Sequence, residues 1–428
     1  MPDVLCGKPG LARTASQEVV VFPSFELSYY RFGMSIVRPA PLLLFVAACA
    51  VAALQFSNGH FGPGFEPVAI ARNLVEGHGY ANPFTIYPTG PTAHTPPLFP
   101  VFLAVLLRIF GYSANFALAA CISCALVYAL GVALLPALAE LFFGDRWPGI
   151  WAAALMIVLP VFEFMPQYET AYAATACMLF YLAADRLARG GGATRGLAMG
   201  VFAGLIALLH TASTFILAPW VVWLMWRYRP ARRPAFGLAM VLGVLLTLAP
   251  WTCRNYREFH ALFFVRDNLG TEMYVSNNGL VGPSVKTGNP YHPSVNLAEA
   301  VAMKQASEFQ YNRQRMALAI NWIRQHRGQF LALTAGRAWI FWFTASQTAP
   351  ARAWSVAFVT VAGMLGFAVM AVRREAVVAP ILAVLVLYPL VFYIVQQDHR
   401  FREPLLWFSL LGVGYLLCAL AAGKSRTA

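Results

Sequence analysis

Charge is what this sequence has least of. Only 11% of its 428 residues are charged, and 59% are hydrophobic, against about 25% and about 45–50% in soluble globular chains. A soluble enzyme and a disordered chain are excluded by that balance. Lysine is nearly missing: Lys8, Lys286, Lys304 and Lys424 are all there are, so arginine carries the formal charge of +13. No basic run is interleaved with aromatics on a solvated face, which argues against nucleic acid as a partner. No G-x-S-x-G elbow and no H-E-x-x-H pair is present, which removes the common serine-hydrolase and zincin chemistries. Cysteine is sparse, seven residues mostly inside apolar runs, so no disulfide framework is expected. Cys121 and Cys124 form a C-x-x-C without a second ligand pair nearby, and a structural zinc needs four ligands. Residues 1–33 mix acids, bases and short apolar patches without the apolar core of a signal peptide. They read as a poorly ordered extension, 1–34, with Met34 as an alternative start.

What the chain does have is long apolar runs. A span needs about 20 mostly apolar residues, and the sequence supplies candidates at 41–57, 115–138, 148–164, 168–187, 196–210, 212–227, 234–250, 354–372, 376–395 and 404–422. The expectation is an all-α polytopic membrane protein with about 10–11 transmembrane helices. Arg186, Arg189 and Arg195 flank one end of 196–227, and Arg227, Arg229, Arg232 and Arg233 the other. Both clusters belong on the cytoplasmic side, so the segment is read as a hairpin of two crossings. Arg373-Arg374 and the tail fall on the same side, and loops 58–114 and 251–328 then face outward. Segment 329–345, with Arg337 and four aromatics, reads as a helix lying at the membrane interface. The second outer loop carries turn-rich stretches, then an amphipathic helical stretch near 297–326.

A charge in mid-membrane marks a transport or proton pathway, and the spans show essentially none. Polar side chains gather instead in the outer loops at the lipid boundary. That placement suits an enzyme whose substrate keeps a lipid tail in the bilayer and a polar head at its surface.

Three stretches carry a family likeness: Phe65-Glu66-Pro67 through Ala71-Arg72-Asn73-Leu74 to Gly79-Tyr80, followed by Thr95-Pro96-Pro97; Ala249-Pro250-Trp251-Thr252-Cys253-Arg254-Asn255-Tyr256; and His399-Arg400-Phe401-Arg402-Glu403-Pro404. Over residues 35–422 they resemble the GT-C membrane glycosyltransferases, in the branch of bacterial protein O-mannosyltransferase homologues and lipid A aminoarabinose transferases. The resemblance implies an inverting transfer of a sugar from a polyprenyl-phosphate donor to an extracytoplasmic lipid, glycan or protein acceptor, in a bacterial inner membrane. A lipid phosphate is already a good leaving group. The chemistry therefore asks for a positioned carboxylate base and cations for the departing phosphate.

By the same resemblance Glu66 is the candidate base. The family's acid usually lies a few residues upstream, where this chain has Gly62-Pro63-Gly64-Phe65. A helix-opening glutamate favoured by the helix dipole fits Glu66 equally. Arg254, Arg400 and Arg402 are candidates for the donor phosphate, since the arginine fork matches phosphate oxygens; headgroup anchoring is the alternative. Aminoarabinose transferases have a lysine directly before the Pro-Pro; here Thr95 stands there, preceded by His94, and a protonated His94 is the candidate substitute for binding the donor phosphate. Glu169 and His210 are candidate substrate contacts at helix ends, Tyr256 could stack on a sugar, and Asn278 lies in a stretch resembling a family loop but is also an ordinary turn residue. No metal spacing is visible, so no cofactor is required and a divalent cation is left open. Two other functions compete: a ligase or polymerase moving a preassembled lipid-linked glycan, and a non-enzymatic flippase for the lipid-linked sugar.

Overall fold

The computed structural model describes residues 40–56, 65–229, 233–344 and 349–424. The expected 1–34 extension and the Gly62–Gly64 stretch lie outside these. Sixteen α-helices run through the described residues: α1 Ala40–Phe56, α2 Glu66–Val75, α3 Leu98–Phe110, α4 Ala114–Phe143, α5 Trp147–Val158, α6 Thr170–Gly190, α7 Ala193–Leu209, α8 Thr214–Arg227, α9 Pro234–Phe259, α10 Leu269–Ser276, α11 Leu297–Ala306, α12 Glu308–Gln325, α13 Arg327–Phe343, α14 Pro350–Val372, α15 Val378–Tyr393 and α16 Glu403–Lys424. Pairing of extended chain among the described residues is limited to two isolated bridges, Ala81 with Pro91 and Ser284 with Gln397. The chain is an all-α polytopic membrane protein, as its composition requires.

Among the described residues, four segments are long and apolar enough to cross a bilayer: α4, α9, α14 and 399–422; α1, α3, α5, α7 and α15 are shorter apolar helices. The last of the four is the most enclosed and α9 the least, with Leu238, Leu242 and Leu246 open to the surroundings. In a bilayer those leucines face a solvent as apolar as themselves. Helix α9 instead grips α7 through small residues. A Cβ on Gly200 would lie 1.9 Å from the Met240 carbonyl oxygen, and one on Gly243 would lie 2.4 Å from that of Leu197. The central core stacks Tyr181 on Trp220 at 4.6 Å, with Trp407 edge-on to Tyr181 at 5.3 Å.

Several sequence expectations change in detail. The 148–164 span ends as a helix at Val158, because Leu159 precedes Pro160 and is extended (φ −87°, ψ 138°). The 234–250 span continues through Pro250 to Phe259, so Arg254 and Tyr256 ride on a helix instead of a loop. The stretch near 297–326 is two helices, broken at Ser307 in the left-handed region (φ +67°). The 196–227 segment is two helices joined at His210–Ser213. Residues 329–343 of the segment 329–345 lie in α13, and Arg337 turns inward. It is fully buried, with its guanidinium on the Asn277 side chain (3.0 Å) and the Ser276 carbonyl.

Candidate active site

Helix α2 opens at Glu66. Phe65 is extended and Pro67 occupies the first turn, where a missing N–H costs nothing and φ is pre-set for a helix. The chain then folds back on itself. Asn82 takes the left-handed region (φ +51°), bonds Asn73 with its side chain and closes on Gly90 through both backbone and side chain. The Tyr80 hydroxyl donates to the Thr95 and Pro96 carbonyls; burial raises its pKa, so it stays a neutral donor.

Residues 92–94 are fixed from outside by three elements. Arg254 on α9 donates to the Thr92 carbonyl at 2.7 Å, the Asp267 amide to the Ala93 carbonyl at 3.3 Å, and Arg266 Nε to the His94 carbonyl at 2.8 Å. Glu308, the first residue of α12, accepts from the Thr92 hydroxyl at 2.5 Å and from the Ala93 amide at 2.7 Å. Buried backbone groups need partners, and here each partner also sets where His94 points.

His94 meets Glu66 and His292. One ligand atom from each residue lies within 4.8 Å of the other two. Phe84 stands edge-on to both imidazoles, at 5.2 Å from His94 and 5.3 Å from His292. Ser294 Oγ lies 2.6 Å from His292 Nδ1. On the far side, His94 Nε2 is 3.8 Å from Glu272 Oε1, while its buried Nδ1 has no hydrogen-bond partner. Burial first, then the positive charge of Arg266 and the His292 ring, hold the His94 pKa well below the ordinary imidazole value. That depression favours the neutral imidazole over the expected cation, and the neutral form is the one that ligates metals. Two imidazoles and a carboxylate, one ring nitrogen being orphaned, fit a zinc-type divalent cation by donor chemistry.

Cationic groups border this cluster. Arg400 sits with its guanidinium carbon 3.5 Å from the centre of the Tyr168 ring. Its charge is faced by Asp398, Glu66 and Glu169. Asp398 Oδ2 is 3.3 Å from its Nε, and Asp398 Oδ1 accepts the Arg400 amide at 3.2 Å, which shapes the short turn that aims the side chain. Glu169 occupies the N-cap position of α6, with no capping bond from its side chain. His210 ends α7, bonded through Nδ1 to Ser213 Oγ at 2.9 Å, and the charges around it are Glu169, Arg266 and Arg400. Glu66, His94, Glu169, His210 and Arg400, chosen from sequence, thus share one neighbourhood.

Four other candidates stand apart. Arg254 is occupied: besides Thr92 it donates to the Tyr80 carbonyl at 2.8 Å, and it lies over the Trp251 ring at 4.9 Å. Arg402 is buried against Trp342, bonding that residue's carbonyl at 2.6 Å. It lines a separate cleft with Arg352, His399, Glu403 and Thr344. Tyr256 is exposed on α9. Asn278 caps α10 internally, donating to the Tyr274 and Val275 carbonyls and accepting from the Leu280 amide. Glu163 is ion-paired with Arg352 and His399.

Sequence reasoning missed His292, Arg266, Tyr168 and Asp398. His292 lies between Pro290 and Pro293, a stiff setting that was the one local signal for it. Arg266 and Tyr168 carry no local signal, because their roles arise only where distant segments meet.

No family profile and no curated protein matches the sequence. Among solved structures, an oligosaccharyltransferase from Archaeoglobus fulgidus, crystallised with zinc and sulfate, is similar at TM-score 0.55 and 15% identity, over 90% of this chain and 49% of that one. The chain therefore spans about half the length of that enzyme. ArnT from Cupriavidus metallidurans, bound to undecaprenyl phosphate, is a more distant likeness at TM-score 0.38 and 15% identity, over 90% of this chain and 79% of that one. The likeness to the archaeal enzyme shows the architecture anticipated from the three sequence stretches: this chain has the membrane fold of the GT-C glycosyltransferases.

Proposed function

We propose that the protein transfers a sugar from a polyprenyl-phosphate donor to an acceptor hydroxyl on the extracytoplasmic side of a bacterial inner membrane, with inversion. The observation that carries this reading is the convergence of Glu66, His94 and His292 within 4.8 Å, with Arg400 facing Glu66. Glu66 takes the proton of the acceptor hydroxyl. The acceptor oxygen bonds the anomeric carbon as the bond from that carbon to the phosphate oxygen breaks. The electron pair leaves with polyprenyl phosphate, whose charge Arg400 and Arg266 offset. Preorganised cations at the point where charge develops are a large source of rate.

Arg400 is the stronger phosphate partner because Tyr168 and Asp398 already fix its plane, and little ordering remains to be done on binding. Arg254 and Arg402 are left out of the clamp: the Arg254 donors are engaged by the Thr92 and Tyr80 carbonyls, and Arg402 is turned to the Trp342 carbonyl and the Ser409 hydroxyl in a separate cleft. Glu169 and His210 border the same space and are assigned to the sugar. Glu66, His94 and His292 would hold a divalent cation, which would supply Lewis-acid charge beside the transferring group. The sidedness is read from Arg186, Arg189, Arg195, Arg227 and Arg233, which stand at the ends of α6, α7, α8 and α9 opposite those that lead to this cluster.

The test uses protein in nanodiscs with a panel of polyprenyl-phosphate sugars and acceptor extracts, following free polyprenyl phosphate and the anomeric configuration of the product. Inverted product from a monophosphate donor supports the reading. Turnover only with a diphosphate-linked oligosaccharide would replace it with the ligase function.

A further inference from the structure

We infer that Glu308 is a positioning residue for the His94 side of the site, and that through it the second outer loop sets the geometry of the first. The inference rests on the proposed reading of the Glu66–His94–His292 cluster as a cation and substrate site, and it adds a residue that touches none of those three side chains.

Glu308 is 2% exposed. A carboxylate so deeply buried is expensive unless it is fully engaged. Its two oxygens are spent on residues directly before His94: one accepts the Thr92 hydroxyl, the other the Ala93 amide. The Thr92 hydroxyl oxygen in turn accepts the His94 amide at 3.0 Å. The order is thus Glu308 to Thr92 to His94, three groups in line from a residue 214 positions away in sequence.

Helix α12 is placed to do this. Ser307, at φ +67°, breaks the helical path after α11, so Glu308 starts a new helix with its side chain free to leave the first turn. One turn on, Asn312 donates to the Glu308 carbonyl at 3.0 Å and accepts from both the amide and the hydroxyl of Thr271, at 2.8 and 2.7 Å. A Cβ on Gly270 would lie 1.9 Å from the Asn312 carbonyl oxygen, so α10 and α12 touch backbone to backbone there. The segment leading into α10 carries Arg266 and Asp267, whose bonds end on His94 and Ala93. Any shift of α12 would therefore move Glu308 and the Arg266–Asp267 segment together, and with them the His94 backbone. Outer-shell groups of this kind tune a site by holding its first-shell residues still.

Two readouts on the protein in nanodiscs test this. Hydrogen exchange over residues 90–96, without metal, reports the backbone that Glu308 holds; Zn2+ binding by equilibrium dialysis reports the cluster. Glu308→Ala should raise exchange in 90–96 and weaken Zn2+ binding by about 10- to 100-fold. Glu308→Gln should restore most of both, because its carbonyl oxygen still accepts the Ala93 amide and its NH2 can donate to the Thr92 hydroxyl. Unchanged exchange in Glu308→Ala would overturn the inference whatever the metal does, and so would a Glu308→Gln protein as loose as the alanine variant. Should Glu308→Ala fail to fold, Thr92→Val removes the same bridge at its other end, and unchanged exchange there would equally overturn it. If wild type binds no Zn2+ while exchange responds as expected, the metal reading fails and the positioning role stands.

Discussion

The Arg400 guanidinium carbon lies 3.5 Å from the centre of the Tyr168 ring, so an aromatic face from the turn before α6 fixes the plane of a cation from the turn before α16. Stacked arginine is not interchangeable with lysine: the flat fork offers paired N–H groups, whereas an ammonium does not. Arg400→Lys should therefore keep the charge and still weaken binding of a polyprenyl phosphate by about tenfold or more, the worth of one charge-assisted hydrogen bond. Tyr168→Leu should do the same more mildly, with the arginine present but unplaced. Titration of donor lipid by intrinsic fluorescence checks both; equal affinity in Arg400→Lys would count against a forked contact.

Arg254 leads to the opposite expectation. Its donors end on the Thr92 and Tyr80 carbonyls, so its loss should loosen the first outer loop without removing a phosphate ligand. Hydrogen bonds from a charged donor are worth about 1.5–3 kcal/mol each. Arg254→Ala should thus lower thermal stability and raise exchange across residues 80–94, while donor affinity falls much less than in Arg400→Ala. A donor-binding loss as large as that of Arg400→Ala, with stability unchanged, would restore Arg254 to the clamp.

A pH dependence follows from two buried outer-loop carboxyls. Burial raises Asp267 to about 6, with Arg313 pulling it back. Burial also raises Glu308 to about 7, against the lowering effect of the Thr92 and Ala93 hydrogen bonds, with Asp267 adding to the rise and Arg254 opposing it. A folded-state pKa above the unfolded value means the fold holds protons that the unfolded chain has released. The associated stability is complete below the unfolded pKa values, 3.8 and 4.5. It is lost as pH rises through the folded ones. Protection of residues 90–96 should decline between about pH 5 and pH 8 and level off above, and Glu308→Gln should flatten the decline. A rise over that range would contradict the assignment.

The metal cluster makes its own prediction. His292 joins His94 and Glu66 from the other outer loop, so Zn2+ should cross-link the two loops. Adding Zn2+ should raise the melting temperature of wild type and slow exchange in both 90–96 and 288–296. His292→Ala should abolish both effects while leaving the metal-free melting temperature nearly unchanged. Stabilisation that persists in His292→Ala would place the metal elsewhere.

How much of this was legible beforehand divides along physical lines. The bilayer imposes a strong one-dimensional signal, a long apolar run between arginine clusters, and the helices appear where those runs lie. Helix ends were less visible: α9 runs on past Pro250 to Phe259, because nothing in a hydropathy pattern marks where a helix leaves the apolar region. At the site, Glu66, His94, Glu169, His210 and Arg400 lie at element ends that sequence can locate. At Arg254 the sequence shows a charge at a boundary but not the two carbonyls that engage it. Arg266, His292 and Glu308 were missed for the matching reason: their meaning comes from loops far apart in sequence that meet only in the fold. Arg337 beside four aromatics suggests a helix lying at the membrane interface, yet Asn277 and Ser276 enclose its guanidinium.

The central claim is that Glu66 takes the acceptor proton in a sugar transfer from a polyprenyl-phosphate donor. Release of polyprenyl phosphate, measured for wild type and Glu66→Gln with donor binding recorded in the same samples, tests it most directly. The account predicts that Glu66→Gln binds donor nearly as well as wild type and releases polyprenyl phosphate at least about a hundredfold more slowly, the usual share of a positioned base. Wild-type turnover that survives unchanged in Glu66→Gln would contradict it.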